Sequence, residues 1–241
     1  MTPLLSVVSV TKRFRGLTAV DKVSFEVSPG HIFAAIGPNG AGKTTLFNMI
    51  AGVYRPDAGE IGFAGERIDG KRPDQVARLG IGRTFQLVRP FPALSVEDNV
   101  VVGALLRLHD LDAATHAARE ILRRLDLFDK RHHVASSLTL PDRKRLEVAR
   151  ALATAPKVLL LDEVMAGLRP TETDRMVAIL RELNRESGLT ILLIEHVMRA
   201  VMALASRVLV LHHGAVIAEG TPDAIVRDRA VVESYLGAEA L

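Results

Sequence analysis

The fold is decided by Ile32-Phe-Ala-Ala-Ile-Gly-Pro-Asn-Gly-Ala-Gly-Lys-Thr-Thr45. Five apolar residues read as a buried strand and run straight into Gly37-Pro-Asn-Gly-Ala-Gly-Lys-Thr44, which fits the spacing G-x-x-x-x-G-K-[ST]. A helix is expected from Thr44 to Ala51, stopped by Gly52. Gly37, Pro38, Asn39, Gly40, Ala41 and Gly42 form a loop whose backbone can wrap a phosphate chain, and the helix N-terminus beyond it adds positive potential. Lys43 supplies a point charge for the outer phosphates. Thr44, followed by Thr45, supplies a hard oxygen for Mg²⁺. The plain alternative is a glycine-rich structural turn, which the flanking strand and helix argue against.

Such a loop needs a second strand that ends in carboxylate. Residues 158–163, Val-Leu-Leu-Leu-Asp-Glu, offer one. Asp162 is placed to hold the metal, directly or through water, and Glu163, pointing elsewhere, to polarise a water. The alternative is an acidic pair that caps a helix. Residues 191–194 and 208–211 are further short apolar runs, the pattern of parallel strands buried on both faces. Residues 5–10 and 23–27 alternate instead and read as half-buried antiparallel strands. Helices separate the later strands. One spans 171–187, with a Thr171-x-x-Asp174 capping box and Gly188 as its stop. Between about residues 94 and 152 there is no strand signal. Ser95-x-x-Asp98 opens a helix to about His109, a second covers 112–127, and a third begins near Leu138. The fold class is α/β. One domain, 1–241, is expected, with a core of 1–87 and 155–241 and a helical insertion of 88–154.

Bulk properties narrow the function. At 241 residues with 48% hydrophobic content the chain can build a sizeable core, and with no Trp and few aromatics that core is aliphatic. Absence of cysteine excludes disulfides, Cys-based metal sites and a Cys nucleophile. The net charge of +3 is spread along the chain, so a nucleic-acid partner is not expected. No signal peptide and no run near ~20 apolar residues is apparent, so a soluble, intracellular chain is expected, reaching a membrane only through partners.

Taken in order, the motifs resemble those of ABC-transporter ATPase subunits. The resemblance covers nearly the whole chain and implies a P-loop NTPase (RecA-like) core, with an N-terminal antiparallel β-subdomain and an inserted helical subdomain. By that resemblance the cofactors are ATP and Mg²⁺. Phe14 stands where an aromatic stacks on adenine, and Gln86 where a glutamine links the metal to the helical part. Asp162 matches the metal-binding aspartate, Glu163 the catalytic glutamate, and His196 the histidine that contacts the γ-phosphate. Residues 138–142 fall at the signature motif and 166–169 at the D-loop. Residues 80–86, 163–168 and 194–200 are similar to the branched-chain amino acid importer ATPases, a pattern that urea and amide importers largely share. The resemblance implies a second ATPase subunit, two permease subunits and, indirectly, a solute-binding protein. It places the chain peripherally on the cytoplasmic face of the cell membrane. A DNA-repair or translation ATPase and a non-catalytic nucleotide-binding regulator are the alternatives.

Two departures from the family pattern stand out. The signature reads Leu138-Thr-Leu-Pro-Asp142, with both glycines replaced. Proline has no N–H to offer a phosphate. Thr139 keeps the hydroxyl for a nucleotide held by a partner subunit, and Thr139-x-x-Asp142 reads as a capping box. The Asp142 carboxylate is expected near the approaching phosphate, where it would repel it. The second departure is Arg169, where an acidic residue is common.

Overall fold

The computed structural model describes residues 2–85 and 90–236. Gln86 therefore lies outside the described residues. Strands β1 (Leu5–Phe14) and β2 (Leu17–Val27) pair as an antiparallel hairpin. Strand β3 (Ile32–Ile36) passes through the glycine loop into α1 (Lys43–Ile50). Then come β4 (Ala58–Phe63), β5 (Glu66–Arg67), α2 (Pro73–Leu79) and β6 (Ile81–Arg83). Helices α3 (Val96–Ala104), α4 (Leu111–Arg124) and α5 (Leu140–Ala153) follow with no strand among them, only an isolated bridge between Ser95 and Val134. The chain ends in β7 (Val158–Asp162), α6 (Pro170–Ser187), β8 (Thr190–Ile194), α7 (Met198–Leu204), β9 (Arg207–His212), β10 (Ala215–Gly220), α8 (Pro222–Ile225) and α9 (Arg229–Leu236).

Two sheets result. One is antiparallel in the order β2-β1-β4-β5, and the other runs β10-β9-β3-β8-β7-β6. In the second sheet β9, β3, β8, β7 and β6 are parallel, and β10 adds an antiparallel edge. Its inner strands β3, β7 and β8 are almost wholly apolar because both faces are covered. On β3, Ile32, Ala34 and Ile36 enter the core shared with the helices, while Phe33 and Ala35 enter the core against the antiparallel sheet. Leu159 and Leu161 of β7 divide from Leu160 in the same way. Truncating a fully buried leucine such as Leu160 to Ala costs about 2–5 kcal/mol. No described helix is long and apolar enough to cross a membrane.

The sequence expectations hold for β3, β7, β8 and β9, and miss β4, β5, β6 and β10. Glycine disguises β4: a Cβ on Gly59 would lie 2.4 Å from the Ser9 carbonyl, so the approach of β1 demands a residue with poor strand propensity. Helix starts also differ. Ser95 caps as expected, accepting the Asp98 N–H at 3.0 Å, but α3 ends at Ala104, short of His109. The Thr171/Asp174 box is not used. Helix α6 starts at Pro170, Glu172 accepts the Arg169 N–H at 2.8 Å, and Asp174 pairs with Arg199. Proline at a first helical position loses no helical bond, so it wins the start.

The strand order sets the site. β3 lies between β9 and β8, and β8 between β3 and β7, so their C-terminal ends form one edge. That edge carries the glycine loop, Asp162 with Glu163, and Glu195 with His196, where open α/β sheets bind ligands.

Candidate functional site

The loop is shaped by two contacts that only glycine permits. A Cβ on Gly37 would sit 2.1 Å from the Leu211 carbonyl, and one on Gly42 would sit 2.3 Å from the Ala19 carbonyl. Both residues also have positive φ. Gly42 is the N-cap of α1, whose first turn has no acidic residue to cancel its dipole. Lys43 is buried, and its ammonium donates to the carbonyls of Gly37 (2.7 Å) and Pro38 (2.9 Å). Burial pushes its pKa down, and the charges of Glu163 and Asp162 oppose that. An anion in the loop would exchange carbonyl partners for phosphate oxygens and restore the ammonium's preference for its charged form.

Asp162 closes β7 and is almost wholly buried. Its N–H donates to Thr84 Oγ1 at 3.0 Å, and its Oδ2 accepts from Arg83 at 3.2 Å. Arg83 also donates to Asn48 Oδ1 at 2.6 Å. Oδ1 of Asp162 has no hydrogen-bond partner among the described residues. Burial raises its pKa and Arg83 pulls the other way. A buried carboxylate oxygen left without a donor costs about 1–3 kcal/mol or more, and a hard cation bound at that oxygen would satisfy it. The residues present thus fit Mg²⁺.

Glu163 follows with φ 50°, a left-handed conformation that costs a non-glycine residue about 1–3 kcal/mol. Its N–H donates to the Ile194 carbonyl at 2.9 Å, and its Oε1 lies 2.9 Å from His196 Nε2. A cavity of about 530 Å³ is lined by Asn39 to Thr45, Glu163, His196, Phe14 and Leu17. Phe14 is part-exposed and meets Tyr54 edge-on at 5.3 Å, leaving ring surface at the cavity mouth.

The sequence reading of the signature needs correction. Thr139 is the N-cap of α5, but its hydroxyl caps no N–H. It donates to Asp142 Oδ2 at 2.8 Å. Asp142 does not face outward to repel an anion: it is buried and ion-paired with Lys130 and Arg145. Burial alone would raise its carboxyl pKa, but hydrogen bonds from Lys130, Thr139 and Arg145 hold it below the ordinary value. The carboxylate stays at the helix end, but its oxygens are taken by the two cations and the Thr139 hydroxyl, and the expected box does not form. Thr139 does not line the cavity of its own chain.

Sequence reasoning missed Arg83, Lys144, Glu195 and His213. His213 lines the cavity. Lys144 of α5 is buried and donates to the Glu163 carbonyl at 2.9 Å. Glu195 is buried and accepts the Met165 N–H at 2.9 Å, and burial pushes its pKa to about 7. Adjacency to His196 was the available signal for Glu195. For Arg83 and Lys144 there was none, since charged residues are mostly exposed.

With this geometry in place, the family model for ABC transporters matches residues 20–166. The chain belongs to the ABC transporter family. It is an ABC ATPase by sequence and by fold. A second family model, the branched-chain amino acid ATP-binding cassette transporter, matches residues 215–240. The chain is 40% identical to the high-affinity branched-chain amino acid transport ATP-binding protein LivG of Escherichia coli K12, covering 98% of both chains. It is 38% identical to the corresponding BraF of Pseudomonas aeruginosa, again over 98% of each. Among solved structures, the ADP conformation of MJ1267, an ATP-binding cassette of an ABC transporter, superposes with a TM-score of 0.89. That pair is 31% identical over 98% of this chain and 100% of the other. A nucleotide-free ABC cassette at 30% identity gives the same score.

Proposed function

We propose that this ABC ATPase hydrolyses Mg-ATP to power uptake of branched-chain amino acids through partner permeases. The observation that carries the reading is the convergence of Lys43, Thr44 and the Glu163–His196 pair on one cavity lined by the glycine loop, with the orphaned Asp162 oxygen on the residue before Glu163. In this reading Lys43 and the loop N–H groups hold the phosphates, and Phe14 packs on the base. Thr44, Asp162 and Gln86 would hold Mg²⁺, which supplies charge neutralisation of the phosphates when bound. Glu163 accepts a proton from the attacking water, a role worth typically 10²–10⁴-fold. His196 steadies Glu163 and donates toward the charge developing on the outer phosphate.

The solute does not touch this chain, so its class rests on relatives. A ribose import ATP-binding protein of Rubrobacter xylanophilus is 37% identical over 93% of this chain, though over only 45% of its own length. The match at residues 215–240 is what favours branched-chain amino acids over sugars. The division into a core (1–87 and 155–241) and a helical part (88–154) belongs to the same proposal. A cavity of about 280 Å³, lined by Phe85, Phe91, Val102 and Arg150, lies where those parts meet and would receive a permease segment. Its exposed phenylalanines support that reading. The chain then works peripherally on the cytoplasmic face of the membrane. A second ATPase subunit would supply the signature that covers its nucleotide. Because Pro141 offers no N–H and Thr139 is engaged with Asp142, a paralogous partner with a glycine signature is favoured over a homodimer.

Lys43→Ala tests the ATPase reading, with hydrolysis expected to fall to background; unchanged turnover overturns it. Light scattering on Glu163→Gln with Mg-ATP tests the partner. A monomer is expected from this chain alone, and a dimer would show that the glycine-free signature closes.

A further inference from the structure

Glu163 occupies a backbone conformation that glutamate keeps only when held, and the groups that hold it come from two other elements. Lys144 of α5 donates Nζ to the Glu163 carbonyl at 2.9 Å. Glu195, just beyond β8, accepts the Met165 N–H on Oε1 at 2.9 Å. Residues 163–165 are therefore clamped from α5 on one side and from the end of β8 on the other. The clamped segment presents the Glu163 side chain to His196. Neither Lys144 nor Glu195 lines the nucleotide cavity.

Both clamps are costly residues in costly places. Lys144 and Glu195 are each about nine-tenths buried or more, and Glu195 Oε2 has no hydrogen-bond partner among the described residues. The Lys144 ammonium also lies in the field of the buried carboxyls of Glu147, Asp162 and Glu195. Burial of this kind is disfavoured for stability alone, since apolar residues of similar volume usually serve as well. A buried donor and a buried acceptor aimed at consecutive peptides of one strained loop are what fixing a side-chain bearing requires.

We infer that Lys144 and Glu195 are positioning residues for hydrolysis: they fix the backbone of residues 163–165 so that Glu163 keeps its bearing on His196 and the cavity. The inference rests on the reading of Glu163 as the group that activates water. It also joins α5, the helix that opens at Thr139, to the backbone of the hydrolytic glutamate through one hydrogen bond.

The test uses the full chain assembled with its partner ATPase subunit and Mg-ATP, measuring kcat, KM and nucleotide affinity. Lys144→Met removes the donor at similar length and should lower kcat at least tenfold with ATP affinity within about twofold of the parent. Lys144→Arg, which restores a donor, should recover most of the rate. Glu195→Leu should behave like Lys144→Met, and Glu195→Gln, which keeps the acceptor for Met165, like the parent. A parental kcat in both Lys144→Met and Glu195→Leu overturns the inference, as does a loss of kcat matched by loss of ATP binding. If Lys144→Met does not fold, the Glu195 pair decides. Glu163→Gln is measured alongside: full turnover there would sink the water-activation reading, whereas a dead Glu163→Gln beside fully active clamp variants sinks only this inference.

Discussion

The end of β7 and the start of α5 are both buried polar clusters centred on an aspartate, and they are built in opposite ways. Asp142 at the start of α5 has both oxygens satisfied by Lys130, Arg145 and Thr139. Asp162 at the end of β7 leaves one oxygen without a partner among the described residues, and nearby Lys43 bonds the Gly37 and Pro38 carbonyls. A closed cluster locks structure. An open one stores unsatisfied bonding capacity that a ligand can use, at a cost to the empty fold.

Substitution of the two aspartates should separate the two roles, and the largest effect is expected at the open cluster. Asp162→Ala should reduce Mg-dependent ATP hydrolysis by 10³-fold or more, read in a phosphate-release assay; a variant with near-parental turnover would break the contrast. Asp142→Asn should leave ATP affinity alone and cost stability instead, about 1–3 kcal/mol in denaturant unfolding, because two cations lose their countercharge. The sign with pH follows from the lowered carboxyl. Stabilisation by Asp142 is present above its unfolded pKa of about 4 and disappears as pH falls through the lower folded value. The gap between parent and Asp142→Asn should therefore close in acid.

Glu195 should show the reverse. Burial pushes its carboxyl to about 7, with Glu163 adding to the rise and the backbone donors and Lys144 opposing it. A raised folded pKa gives stability that is full below the unfolded value and lost as pH rises through about 7. Thermal unfolding of Glu195→Gln should thus gain on the parent between about pH 5 and 8, and parallel curves would show that this carboxyl is ordinary. The smallest effect belongs to the rim. Phe14→Ala should weaken ATP binding several-fold, as loss of one stacking face does, with kcat little changed.

Much of this contrast was legible in the residues. The phosphate loop is a local pattern in which strand, glycines, Lys43 and Thr44 are adjacent, so no tertiary knowledge was needed. Strands β3, β7, β8 and β9 announced themselves because burial on both faces makes them continuous in hydrophobicity. The same logic failed at β4, where close strand pairing put glycines in a strand, and at β6, which is only three residues long. It failed again at Asp142, whose bearing is set by Lys130 and Arg145 from outside any capping pattern.

By itself the sequence determined that this is an α/β nucleotide-binding chain of the ABC kind, and which loop takes the phosphates. Only the tertiary structure decided which carboxylates are open and which are spent. Arg83 meets Asp162, Lys144 meets the Glu163 carbonyl and Glu195 meets Met165 because strand order brings the ends of β6, β7 and β8 together against α5. The physical reason is that a charged side chain carries no local mark of whether it will be buried or what it will face. That is fixed by partners distant in sequence, and with it the strength of every interaction at the site.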